Sequence, residues 1–381
     1  MLLLLATVGV DAQVTTASMA GKVTDASNEP IIGATVQAVH QPSGSRYGTV
    51  TNVDGRYSIQ GMRTGGPYRV EISYIGYQTV IYKDITLQLG EVYNLNVEMS
   101  ESSELLNEVI VTAAKTKFTA EKTGATTNIS SAQMTQLPTV NRSISDIARL
   151  SPYANGMSFA GGDGRSTNFT IDGANFNNNF GLSSNLPGGG NPISMDAIEE
   201  VQVVVAPFDV RQTNFIGGGI NAITKSGTNT FRGTAYTYYR NQDMRGNRIN
   251  GEDLGARSDE SKTTYGFTLG GPIIKNKLFF FVNYEKEKTP GEVIKYRARE
   301  DGEDAKGMVS RTLKSDMEKV YNHLKDKYGY DAGSYTNFPA DEENTKLLAR
   351  IDWNITDRHR LSLRYNNTKN TCLLYTSDAA D

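Results

Sequence analysis

The residues that could do acid–base or metal chemistry are few, and their spacing is wrong for it. The three histidines are His40, His323 and His359. None has a glutamate three residues later, so the His-x-x-Glu spacing that would present a first pair of zinc ligands is missing. His323 has Asp326, but both fall on a helical stretch of a charged segment, where a solvated face accounts for them. Cys372 is the one cysteine, which excludes an internal disulfide and a cysteine-based metal site. Gly217-Gly218-Gly219-Ile220-Asn221-Ala222 fits the G-x-G-x-x-A outline of a dinucleotide loop. The run from Ile220 to Thr224 is β-branched and leads to Ser226-Gly227, so no helix N-terminus is available to meet a phosphate. A G-x-S-x-G elbow is absent as well. These residues predict no catalytic centre, no metal and no cofactor.

Composition points away from nucleic acid and toward strands. The 381 residues carry a net charge of -3 with basic and acidic residues interspersed, so no broad cationic field exists to hold phosphates. Only 21% of residues are charged, while Gly numbers 37 and Tyr 20, a balance that suits short strands and turns. A single hydrophobic core rarely grows past ~250 to 300 residues, so two or three domains are expected.

Residues 2–10 are apolar and precede Asp11-Ala12-Gln13, which predicts an export signal over residues 1–12 with cleavage near Ala12. The stretch is too short for a membrane-crossing helix, which needs ~20 residues. Its positive leading region is missing. Residues 17–99 then break into seven short runs, at 21–24, 34–39, 48–51, 56–59, 68–74, 80–82 and 93–99, divided by turns such as Asp54-Gly55. Such spacing predicts an immunoglobulin-like β-sandwich. Through Thr51-Asn52-Val53-Asp54-Gly55-Arg56-Tyr57-Ser58-Ile59, with Gly33-Ala34-Thr35-Val36 and Gly76-Tyr77, this segment resembles the carboxypeptidase regulatory-like domain.

A polar linker occupies residues 100–115 and contains the β-branched hexad Glu108, Val109, Ile110, Val111, Thr112 and Ala113. By itself the hexad reads as an ordinary edge strand. Residues 116–226 have a different texture. Ser130 with Gln133 fits a capping box, and Ile144, Ile147 and Ala148 share a helical face. Glycine and asparagine crowd the loops around Asn168-Phe169-Thr170-Ile171-Asp172-Gly173. Together with residues 196–205 and 217–227, that stretch resembles the plug of TonB-dependent receptors of the Oar-like branch. The resemblance implies that the hexad is the segment that pairs with the energising protein TonB, by β-augmentation. It also implies that plug loops face the substrate, with Arg165, Asn175, Asn177, Asn178 and Asn179 as candidate contacts.

From residue 227 the pattern changes again. Leu347, Ala349, Ile351 and Trp353 alternate with Lys346, Leu348, Arg350 and Asp352, and Leu361, Leu363 and Tyr365 alternate with Arg360, Ser362 and Arg364. A second hairpin sets Tyr265, Phe267 and Leu269 against Leu278, Phe280, Val282 and Tyr284, with a turn expected over 270–277. One apolar face and one polar face over ~9 to 11 residues suit strands with lipid on one side and a polar lumen on the other. A soluble sandwich would alternate in the same way. Residues 290–343 read as a long outer loop carrying a packed amphipathic helix with Leu313, Met317, Val320, Tyr321, Leu324 and Tyr328 on one stripe.

The expected fold is therefore mainly β: an immunoglobulin-like sandwich, an α+β plug, and over residues 227–371 the first strands of an incomplete transmembrane β-barrel. A complete family barrel takes about 22 strands. Residues 372–381 break the pattern and read as foreign sequence at the end of a truncated gene. The implied function is energised uptake of a polar substrate such as a peptide, glycan or metal chelate across the Gram-negative outer membrane, with sandwich and plug on the periplasmic side. The implied partners are the TonB energising complex, outer-membrane lipid, the unknown substrate and a surface lipoprotein, with no nucleic acid. The competing reading is a non-transporting surface or periplasmic binding protein built from β-sandwiches, contacting carbohydrate or protein.

Overall fold

The computed structural model describes residues 14–101, 109–112, 125–137, 139, 142–177, 186–187, 190–205, 207, 209, 211–255, 260–291, 296–333 and 341–372. The expected export signal and the tail beyond residue 372 lie outside them.

Nine strands build the N-terminal sandwich: β1 Ala17–Asp25, β2 Thr35–His40, β3 Ser45–Val50, β4 Arg56–Met62, β5 Gly65–Ser73, β6 Val80–Leu87, β7 Val92–Asn94, β8 Val97–Met99 and β9 Val109–Thr112. One sheet runs β4-β1-β7 with β8 also on β1, and the other runs β3-β2-β5-β6-β9. Alternate residues point into the gap between them, so Met19, Val23, Val36, Ala38, Tyr57, Ile59, Tyr68, Val70 and Ile72 form one buried core. The single strand expected at residues 93–99 is broken in two. The Leu95 carbonyl lies so close to Gly21 that a Cβ there would sit 1.9 Å from its oxygen. That carbonyl also accepts from the Tyr57 hydroxyl at 2.7 Å, and Asn96 Oδ1 takes the Lys22 amide at 2.9 Å in place of a backbone partner.

The plug consists of β10 Ala125–Ser130, α1 Ser131–Gln136, α2 Ile144–Ala148, the short pair β11 Ala154–Asn155 and β12 Ser158–Phe159, β13 Asn168–Ile171, β14 Ala174–Asn175, β15 Ile198–Val205 and β16 Gly218–Thr224. Its sheet order is β10-β15-β16-β13-β14. Gln133 Oε1 accepts the Ser130 amide at 3.0 Å, and Ser143 Oγ accepts the Asp146 amide at 3.2 Å, so both helix starts are capped. Ile144, Ile147 and Ala148 are buried against Phe169, Val201 and Ile220. β16 is buried along its whole length and is a central strand, so its glycines open no phosphate loop.

The remaining elements are β17 Arg232–Asn241, β18 Arg248–Ile249, β19 Glu252–Asp253, β20 Ser261–Ile274, β21 Leu278–Thr289, β22 Arg297–Arg299, β23 Val309–Leu313, α3 Lys314–Tyr328, β24 Glu342–Asn354 and β25 Arg360–Cys372. The long strands form one sheet in the order β17-β20-β21-β24-β25. Its side chains are arranged inside out relative to a soluble sheet. On β24 the apolar Leu347, Ile351 and Trp353 are exposed, while Asn344, Lys346, Arg350 and Asp352 are buried. Tyr265, Phe267, Leu269, Leu361, Leu363 and Tyr365 are likewise exposed. A water-facing sandwich would bury the apolar set, whereas lipid on the outside and a polar lumen require this arrangement. Among the described residues no helix is long and apolar enough to cross a membrane, so any crossing is made by strands.

In two places the chain departs from expectation. The turn expected over residues 270–277 is confined to the last few of them, since β20 runs on to Ile274. Gly271 makes room for an aromatic ring rather than a bend: a Cβ there would sit 2.4 Å from Phe231 Cδ1. The loop helix forms as α3 and ends at Gly329 in the left-handed conformation, but none of its residues is buried. Val320 and Tyr328 on its apolar stripe are exposed, so it is not packed as expected.

By contact the chain divides into two units, one of residues Met1–Thr234, Thr268–Asn283 and Leu347–Asn367, the other of Ala235–Phe267, Tyr284–Lys346 and Thr368–Asp381. In the second, Lys346 Nζ reaches Glu285 Oε1 at 2.8 Å, Tyr236 donates to Glu285 Oε2 at 2.8 Å, and Lys262 pairs with Glu287 at 2.6 Å. The inward face of these strands is therefore charged but internally paired.

Candidate functional site

The hexad of the linker forms the last strand of the sandwich. Val109 to Thr112 pair in parallel with β6 in the register Val80 with Val109, Ile81 with Ile110, Tyr82 with Val111 and Lys83 with Thr112. Glu108 and Ala113 lie outside the described residues. Two β-branched runs make this pairing natural, since both suit a pleated backbone.

Immediately after β6 the chain enters the plug. The Leu89 amide donates to both carboxylate oxygens of Glu200, at 3.1 and 3.2 Å. Its carbonyl accepts from Gln202 Nε2 at 2.6 Å and from Asn128 Nδ2 at 3.1 Å. The Leu89 side chain is fully buried with Val14 and Ile223. One residue of the sandwich is thus gripped by two plug strands, β10 and β15. From Gln202 a buried polar chain continues. Its Oε1 accepts from Asn221 Nδ2 at 3.3 Å, and Asn221 Oδ1 accepts from the Thr170 hydroxyl at 2.9 Å. Buried amides and hydroxyls stay buried only when paired in this way.

Thr170 stands two residues before Asp172, which begins a tight hairpin between β13 and β14 with φ of 49° at Asp172 and 87° at Gly173. That turn aims a buried carboxylate at the long strands. Asp172 accepts from the Thr224 amide at 3.0 Å and its hydroxyl at 2.6 Å. It lies 3.9 Å from Arg350 Nη1 and 3.3 Å from Arg364 Nε. Arg350 in turn grips Asp352 through Nε at 2.8 Å and Nη2 at 3.1 Å, and donates to the Thr224 carbonyl at 2.6 Å. Arg63 of the sandwich closes the group, 3.5 Å from Asp352 and 3.2 Å from the Ser226 hydroxyl. Plug, long strands and sandwich therefore share one buried ion network, in which each charge is compensated by several partners.

The candidate substrate contacts are not gathered into one place by a shared cavity. Arg165 is exposed and folds back on Asp163, with Nε to Oδ2 at 2.8 Å, and that contact holds the Asp163 carboxyl below the usual carboxylate range. Asn175 is exposed on β14. Asn177 is committed to structure: its Oδ1 accepts the Phe169 amide at 2.7 Å and its Nδ2 donates to Asn168 Oδ1 at 2.7 Å. Asn178 and Asn179 lie outside the described residues. No cluster of metal-ligating side chains occurs among the described residues.

Neither the Leu89 grip nor the ion network is foreseen by the sequence reading. Arg350, Asp352 and Arg364 stand out there only as members of a polar face, and Asp172 and Glu200 only as members of plug stretches. A charged side chain at an inward position of a strand otherwise facing lipid is the signal that could find them, because such a charge needs a partner inside.

Known proteins resemble the chain piece by piece. Residues 18–100 match the carboxypeptidase regulatory-like domain, and residues 223–293 match the outer membrane beta barrel domain. The TonB-dependent transporter Oar of Myxococcus xanthus is 25% identical over 91% of this chain and 33% of its own length. The chain thus spans about a third of that relative. Among solved structures, the siderophore receptor PirA of Pseudomonas aeruginosa is 16% identical with a TM-score of 0.42, covering 66% of this chain and 35% of that one. The outer membrane transporter YddB of Escherichia coli is 17% identical with a TM-score of 0.43, covering 65% and 33%. These relatives are transporters and receptors, not enzymes. The barrel-domain match and the Oar relative point to the outer membrane of a Gram-negative cell.

Proposed function

We propose, from a chain homologous to a TonB-dependent transporter and carrying part of an outer-membrane β-barrel domain, that it belongs to a receptor that uses TonB to import a polar substrate. The observation that carries this reading is the inverted sheet: apolar Leu347, Ile351 and Trp353 face out, and Arg350 and Asp352 face in, where they meet the plug. A barrel wall closed by a separate domain must be opened by force or by a ligand. Residues 108–113 are the place to apply that force, since an extended β-branched segment can be captured through its backbone alone. Peptides, glycans and metal chelates are the substrate classes in view. Arg165, Asn175, Asn177, Asn178 and Asn179 are proposed as substrate contacts or supports, with Asn177 shaping its loop and Arg165 and Asn175 presenting exposed polar groups.

The test is a complete version of the gene carrying Ile110→Pro. Proline removes a ladder donor without altering the barrel, so the variant should insert in the outer membrane and lose uptake. Uptake at the unaltered rate would move the TonB contact elsewhere.

A further inference from the structure

We infer that the sandwich withholds the TonB-contact strand: at rest β9 is engaged on β6, and the partner must take it from there. This rests on the reading of residues 108–113 as the contact segment and goes beyond it by naming what competes for them. The two claims on β9 are of the same kind. β-augmentation recognises an extended backbone, and the β9 backbone is already paired along Val109 to Thr112. The pairing has the properties of a latch and not of a permanent ladder. It spans four residues, it is parallel, and parallel pairs are slightly weaker per residue than antiparallel ones. β9 also ends its sheet, with no further strand beyond it among the described residues. Exchanging one ladder for another leaves the hydrogen-bond count unchanged, so an incoming strand needs only a small surplus of affinity to win.

The position of the latch gives it leverage. β6 runs within two residues into Leu89, which Glu200, Gln202 and Asn128 hold on the plug. A sandwich free to swing would release β9 at random, whereas this one is fastened to the domain that has to move. An occluded segment binds with an affinity reduced by the fraction of time it is free. Binding of the partner should therefore rise when the β6 and β9 ladder opens and fall when it is locked.

A covalent lock tests this in the whole chain. Lys83 and Thr112 are register partners, and the ~4.7 to 4.9 Å between neighbouring strands is within reach of a disulfide. The variant Lys83→Cys with Thr112→Cys, carrying Cys372→Ser to remove the native thiol, is assayed for binding to the purified periplasmic domain of TonB with the disulfide formed and after reduction. The expected result is a disulfide that forms readily, binding in the reduced state, and at least tenfold weaker binding in the oxidised state, restored by reductant. Equal binding in both states would overturn the inference while leaving the contact segment intact, because the partner would then be adding to the outer edge of β9. Failure of the disulfide to form would overturn the inference too, since the ladder would be absent. No binding in the reduced state would remove the contact reading and the inference with it.

Discussion

Asp172 concentrates more structural consequence than any other side chain of the plug. Its carboxylate is 6% exposed, accepts two hydrogen bonds from Thr224 and faces Arg350 and Arg364. Asp172→Ala leaves two arginines short of a counter-charge, and breaking a buried ion pair by removing one member costs about 3–5 kcal/mol. Hydrogen exchange of β13 and β16 amides should report that loss, with the sandwich amides unchanged. His40 offers a second residue-scale test, through pH. Burial, and then the nearby Arg63, lowers its pKa from 6.5 to about 3, and its Nδ1 is paired with Ser43 Oγ at 2.7 Å. Between those two values the unfolded chain binds a proton that the folded sandwich refuses. Stability is therefore fully present above pH 6.5 and falls as pH drops toward 3. His40→Gln should flatten that part of the pH dependence, read from exchange of β2 and β5 amides.

Among the elements, the break between β7 and β8 is the least forgiving. With the Leu95 oxygen 1.9 Å from where a Cβ would stand, Gly21→Ala forces the crossing backbone to move and should destabilise the sandwich by about 1–3 kcal/mol, measured as a lower urea midpoint. The elements themselves are legible because each obeys a local rule. Alternation gives the strands of both sheets, Ser130 with Gln133 and Ser143 with Asp146 give the helix starts, and the Asp-Gly pair at 172 and 173 supplies a hairpin turn. Contact at long range is what local rules leave out. The Leu89 grip joins residues more than a hundred positions apart, and Leu89 is an ordinary leucine after a strand. Gly270-Gly271-Pro272 misleads for a related reason: its residue types suggest a turn, and the structure uses them to admit the Phe231 ring.

At the scale of the whole molecule, the sandwich is more than an appended module. It carries β9 on its edge, holds the plug at Leu89 and places Arg63 in the network of Asp172, Arg350 and Asp352. A pull on β9 would therefore reach the plug both along the chain and through the sandwich. The direct measurement is in the intact cell. Single cysteines placed in turn along residues 108–113 of a complete Cys372→Ser gene, with a cysteine in the periplasmic domain of TonB, should give a disulfide-linked receptor–TonB species at these positions and not at exposed sandwich positions such as Val53. No linked species anywhere in the hexad, or an equal yield at Val53, would contradict the assignment of this protein to TonB-driven uptake.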